Sequence, residues 1–196
     1  MKNEDLWKKL KKGDVKALGV IYDRYADMLY SYGMKMTENP ELVKDCIQDL
    51  FVCLYEKRDQ IATPKDIQSY LLVSLKRDIC LKVSDLIKKN RMNTDIDEIK
   101  YFRIRIDMQT TIDETWIEEE QLKVLQDAIN MLSPQQQEVI YLRYYKDMSV
   151  REVSEIAEIK IQTVKNVAVT AMRKLRTNKT LIELFSSDGC VLMGNG

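Results

Sequence analysis

The 196-residue sequence contains no histidine, so the usual general base and the commonest metal ligand are both missing. It also lacks a Gly-rich phosphate-binding loop and any paired carboxylates in a supporting context. A small hydrolytic or nucleotidyl-transferring enzyme is therefore disfavoured, and neither a catalytic residue nor a metal or cofactor is expected. Six glycines and three prolines are too few for a turn-rich β architecture. The cysteines, Cys46, Cys53, Cys80 and Cys190, show no C-x-x-C spacing, which argues against zinc. Cys46 and Cys53 stand two turns apart along one helix face, where reduced core thiols are expected. No apolar run reaches the roughly 18 residues of a membrane span. Acids at Glu4 and Asp5 and no apolar stretch behind them leave no leader peptide. A soluble cytoplasmic protein is expected.

What is present is a hydrophobic fraction of 45%, enough for a real core. The net charge of zero conceals a pattern. Residues 61–92 hold 7 basic and 3 acidic residues, residues 93–120 hold 3 and 9, and residues 141–180 hold 9 and 4. Two basic segments flanking an acidic one suggest two polyanion-facing modules joined by a connector, although any helix surface carries charge.

Apolar residues recur at helical spacing almost throughout. Val15, Leu18, Tyr22, Tyr25, Leu29 and Tyr32 form one stripe behind Asp14, a good N-cap. Val43, Ile47, Leu50 and Leu54 form a second, and Ile67, Leu71, Leu75 and Ile79 a third. Asn39-Pro40, Thr63-Pro64 and Ser133-Pro134 each set a capping residue before a proline suited to the first helical position. The fold class read from this is all-α: a helical bundle over residues 1–91, an acidic linker over 92–118, a second helical domain over 119–180, and a tail over 181–196. Phe102, Ile104 and Ile106 alternate within the linker, as a short strand or a docking segment would.

Residues 133–176 are the most informative. Ser149-Val150-Arg151-Glu152 has the form of a capping box and opens a short helix with Val153, Ile156 and Ala157 inward. After a break near Glu158-Ile159, a second helix sets Ile161, Val164, Ala168, Ala171 and Leu175 on one face. Short helix, tight turn and longer basic helix is the helix-turn-helix plan. The opposite face then offers Lys160, Gln162, Thr163, Lys165 and Asn166 to a major groove, where Gln and Asn suit adenine and Lys suits guanine or phosphate. Arg173, Lys174 and Arg176 suit phosphates. An ordinary helical hairpin with a solvated basic face would carry the same pattern.

Leu132-Ser133-Pro134, Glu138-Val139, Tyr141-Leu142, Ser149, Glu152-Val153, Ile156-Ala157, Ile159, Thr163-Val164-Lys165, Ala171 and Lys174-Leu175-Arg176 resemble region 4 of the extracytoplasmic-function (ECF) group of bacterial RNA polymerase sigma factors. The run from Val43 to Tyr55 resembles that family's region 2.2, and Ser69-Tyr70-Leu71-Leu72 to Arg91 is similar to its regions 2.3 and 2.4. The resemblance implies a factor that binds core RNA polymerase and directs it to a promoter of two elements, with no catalytic activity of its own. Asp45, Gln48, Asp49 and Phe51 would then face the clamp helices of the largest polymerase subunit, and Phe51 would serve the core equally well. Lys76, Arg77, Lys82, Lys88, Lys89 and Arg91 would approach the −10 region, and the recognition helix the −35 element. An anti-sigma factor is a further implied partner.

The sequence departs from the family at Glu158, where a glycine is common, and at Lys160, where a serine cap is common. Arg77 and Leu81 stand where asparagine and aspartate are frequent. A helix-turn-helix regulator that never meets the polymerase, its N-terminal helices serving dimerisation or sensing, is the competing reading. A structural helical adaptor is another.

Overall fold

A computed structural model of the chain describes residues 3–89, 102–105 and 119–182. They belong to two compact units, divided between Tyr101 and Phe102.

In the first unit, α1 (Asn3–Lys11) turns into α2 (Val15–Gly33) through Gly13, whose φ of 83° lies in the left-handed region open to glycine. Asp14 caps α2, its Oδ1 accepting from the Lys16 and Ala17 amides at 2.9 and 3.3 Å. α3 (Pro40–Glu56) starts as Asn39-Pro40 predicts, with Asn39 Oδ1 accepting from the Leu42 amide. α4 (Ile67–Lys89) does not start at Thr63-Pro64. Asp66 caps it, its carboxylate accepting from the Ser69 amide at 2.6 Å, and an ionised acceptor is the stronger cap. Pro64 instead lies in the approach to the helix.

The stripes of α3 and α4 are buried as predicted: Val43, Ile47, Leu50 and Leu54 face Leu71, Leu75 and Ile79. In α2 the buried line is Ala17, Ile21, Tyr25, Leu29 and Tyr32, while Val15 and Tyr22 are exposed. The helix carries apolar residues on two faces, and periodicity alone follows either. Cys53 is likewise exposed, whereas Cys46 is fully buried and its thiol is pushed up by that burial. Gly33 sits where α2 comes closest to its neighbours. A Cβ there would stand 2.6 Å from Val43 Cγ1 and 3.3 Å from Ile79 Cδ1.

In the second unit, α5 (Glu119–Asn130) precedes α6 (Pro134–Ile140), which runs into a π-helical turn at Tyr141–Tyr145. α7 (Val150–Ala157) and α8 (Ile161–Arg176) follow. Ser133 and Ser149 each form a complete capping box, with Gln136 and Glu152. Leu122, Leu132, Val139, Leu142, Val153 and Ile156 anchor the core. Among the described residues there is no strand, and no described helix is long and apolar enough to cross a membrane.

Candidate nucleic-acid and partner interfaces

α7 and α8 form the helix-turn-helix. Ile159 donates its amide to the Ser154 carbonyl and accepts from Ser154 Oγ at 2.5 Å, so one serine staples the turn. Glu158 occupies the C-cap in the left-handed region, at φ 55° and ψ 40°. A non-glycine there is strained by its Cβ, which explains why the turn favours glycine. Lys160 stands at the N-cap of α8 with no side-chain cap bond. Both departures therefore weaken the element that presents α8.

The buried side of α8 is Val164, Ala168 and Ala171. Ile161, expected to face inward, is 48% exposed. It is the first helical residue and lies more than half a turn from the buried line at about 3.6 residues per turn. On the outer side, Gln162, Lys165, Asn166, Arg173 and Arg176 fall in one exposed stripe, and Lys160 stands exposed at its head. Gln162 donates to Asn166 Oδ1 at 3.1 Å, which fixes both amides toward the same side. Thr163 and Lys174 lie on the flank; Thr163 is half-buried and Lys174 reaches Gln136 Oε1 at 3.2 Å. Val169, in the middle of the stripe and 68% exposed, was not singled out by sequence reasoning. Its helical position marks it, once the buried face is known. An apolar side chain there suits a thymine methyl or a sugar.

On α3, Asp45, Gln48 and Asp49 are exposed together, as their spacing requires. Phe51 is 5% exposed and packs edge-on against Tyr22, with ring centres 5.0 Å apart. It belongs to the core, and Tyr22 is the ring that reaches the surface. Between α2 and α3 lies an open, mainly apolar groove of about 650 Å³, lined by Leu18, Tyr22, Ile47, Phe51, Val52 and Tyr55.

The cations of α4 do not make one stripe. Arg77 and Lys88 fall on one side of the helix at about 3.6 residues per turn, and Lys82 on another. Lys82 Nζ is 2.6 Å from Asp49 Oδ2. The hydrogen bond to Asp49 raises the Lys82 pKa, so the pair joins a residue predicted to face DNA to one predicted to face the polymerase. Thirty-three positions separate the two, and local spacing carries no sign of the contact. Asp78 is raised by burial, only partly opposed by Lys82. Lys88 makes a looser contact with Asp85 at 3.5 Å, and Lys76 is half-buried. Lys89 ends the described helix, and Arg91 lies outside the described residues.

Two family models match the chain: Sigma-70 region 2 over residues 21–86, which contains α3, and Sigma-70 region 4 over residues 122–175, which contains the helix-turn-helix. The ECF RNA polymerase sigma factor BldN of Streptomyces coelicolor is 22% identical over 87% of this chain, which spans 63% of that relative's length. The ECF RNA polymerase sigma factor SigW of Bacillus subtilis is 27% identical over 81% of this chain and 86% of its own. Among solved structures, the sigma factor RpoE of Bartonella quintana, crystallised with the anti-sigma factor NepR, shares the fold. Its TM-score is 0.59 at 18% identity, covering 86% of this chain and 98% of that one. With both sigma-70 regions present in order, and with relatives that share them along most of its length, the chain belongs to the ECF sigma factors of RNA polymerase.

Proposed function

We propose that the exposed α3 face of Asp45, Gln48 and Asp49 binds core RNA polymerase, and that the α8 stripe reads the upstream promoter element. The observation that carries this reading is the separation of two unlike surfaces onto two units: an acidic, amide-bearing face in region 2, and a basic face carrying Gln and Asn in region 4. An acidic face repels DNA and suits a protein partner. A basic stripe with paired amides suits a duplex. Arg77 and Lys88 support contact with the −10 region from α4. The protein acts by binding and positioning, with the chemistry left to the polymerase, and it works in the cytoplasm where its template is.

The relative RpoE is known in complex with an anti-sigma factor. A partner of that kind, covering the α2–α3 groove and the α3 face, would hold this chain inactive. A regulator acting through the helix-turn-helix alone would leave the region 2 match without a role.

Purified core polymerase plus this chain is expected to give transcripts that depend on promoter sequence. Asp45→Arg with Asp49→Arg is expected to weaken core binding at least tenfold while leaving the isolated DNA contact intact. Unchanged core binding would remove the α3 assignment. Lys165→Ala is expected to lower promoter affinity and to reduce the slope of log K against log salt by about 1, the signature of one lost phosphate contact.

A further inference from the structure

Residues 102–105 are not free of the second unit. Phe102 and Ile104 face inward and Arg103 and Arg105 face outward. Phe102 is 6% exposed and tilts against Tyr141, with ring centres 5.4 Å apart. The backbone of Ile104 is held on both sides by glutamines: its N–H donates to Gln137 Oε1 at 2.8 Å, and its carbonyl accepts from Gln126 Nε2 at 2.8 Å. Gln137 is 4% exposed, and its other amide atom donates to the Leu132 carbonyl at 3.1 Å. A buried glutamine with both ends engaged, beside a ring pocket, is a built seat for an extended peptide. Yet the peptide is short and pairs with no strand, so only one ring and two side-chain bonds hold it. Contacts of that size open locally without unfolding the unit they cover.

We infer that this segment is a releasable strap, docked on α5 and α6 in the free protein and undocked when the protein holds both promoter elements at once. The inference rests on the sigma factor reading, and chain length supplies the reason. With the strap docked, the chain from Lys89 to Phe102 spans at most about 47 Å, at ~3.6 Å per residue fully extended. With it released, the chain from Lys89 to Glu119 spans up to about 108 Å on the same basis. Elements centred near −10 and −35 lie about 85 Å apart along the duplex, at ~3.4 Å per base pair. Two units, each about 15 Å in radius, leave roughly 55 Å between facing surfaces. The docked tether falls short of that distance, and the released one covers it. When the strap leaves, Gln137 Oε1 takes water in place of the Ile104 amide.

Hydrogen exchange of the Ile104 amide in the wild-type chain is the direct test. Protection is expected in the free protein and in a complex with a DNA fragment carrying only the upstream element. With core polymerase and a two-element promoter, exchange at Ile104 is expected to accelerate at least tenfold while α6 amides stay protected. Phe102→Ala is expected to raise affinity of the polymerase complex for the two-element promoter about two- to fivefold and to leave the one-element fragment unchanged. Equal protection of Ile104 in all three states overturns the strap, as does a Phe102→Ala effect that is absent or the same on both fragments. If wild-type protein with core polymerase yields no promoter-dependent transcripts, the sigma factor reading itself fails, and the strap with it.

Discussion

The two units solve the same problem of holding helices together by different means. In the first, α2, α3 and α4 are 17 to 23 residues long and bury large side chains against each other. Each fully buried Leu, Ile or aromatic contributes about 1.5–3 kcal/mol, and a cap of about 1 kcal/mol is a small addition. In the second unit, α6 and α7 have 7 and 8 residues, well under the roughly 12–15 needed for marginal stability alone. Both carry complete capping boxes, and α7 ends in a strained left-handed residue. Packing dominates the first unit, while local chain chemistry weighs heavily in the second.

The largest effect that would break this contrast is expected at Gly33. Gly33→Ala should destabilise the first unit by about 2 kcal/mol, because Val43 and Ile79 must move to admit a methyl. Urea unfolding followed by Trp7 fluorescence, in a Trp116→Phe background, reads that unit alone. Next, Ser149→Ala should cost the second unit about 1–2 kcal/mol. Asp14→Ala should cost the first less than that, since α2 is held by burial; hydrogen exchange resolved by unit compares the two.

Glu158→Gly should stabilise the second unit by about 1 kcal/mol, through relief of the left-handed strain. It should also tighten DNA binding by removing an acid beside the recognition helix, which a fluorescence anisotropy titration would show. The smallest effect is expected at Asp78. Burial raises its folded pKa, so its contribution is fully present below the unfolded pKa near 4 and is lost as pH rises through the higher folded value. Asp78→Asn should therefore be the more stable protein at neutral pH, with the difference closing as pH falls toward 4. A gap that widened on acidification would show that the Lys82 contact outweighs burial.

How much was legible in the sequence follows the same division. Ile67, Leu71, Leu75 and Ile79 announced a buried face because only one side of that helix is apolar. Asn39, Ser133 and Ser149 announced helix starts because caps act within four residues. Val15, Tyr22 and Ile161 misled because helices with two apolar sides, or apolar ends, do not say which side is covered. Thr63-Pro64 misled because Asp66, two residues on, is the stronger cap. The Asp49–Lys82 pair and the seat for Ile104 were not legible at all: each joins residues 33 positions apart, and only the fold brings them together. Of the candidate DNA stripe, the polar members were read from residue type, and Val169 emerged only once the buried face of α8 was known.

The π-helical turn bears on how this chain tolerates change. The Lys146 amide closes onto the Tyr141 carbonyl at 3.0 Å, five residues back instead of four. The helix thus carries one surplus residue just before the helix-turn-helix. Deleting any one of residues 141–145 would let an ordinary α-helix close in its place. Everything downstream would then enter rotated by about 100°, one residue's share of a helical turn. Ser149 would no longer meet the start of α7, and α8 would present a different side to a groove. A single codon of length here sets the heading of the DNA-reading helix, where most substitutions on its surface would only change its grip.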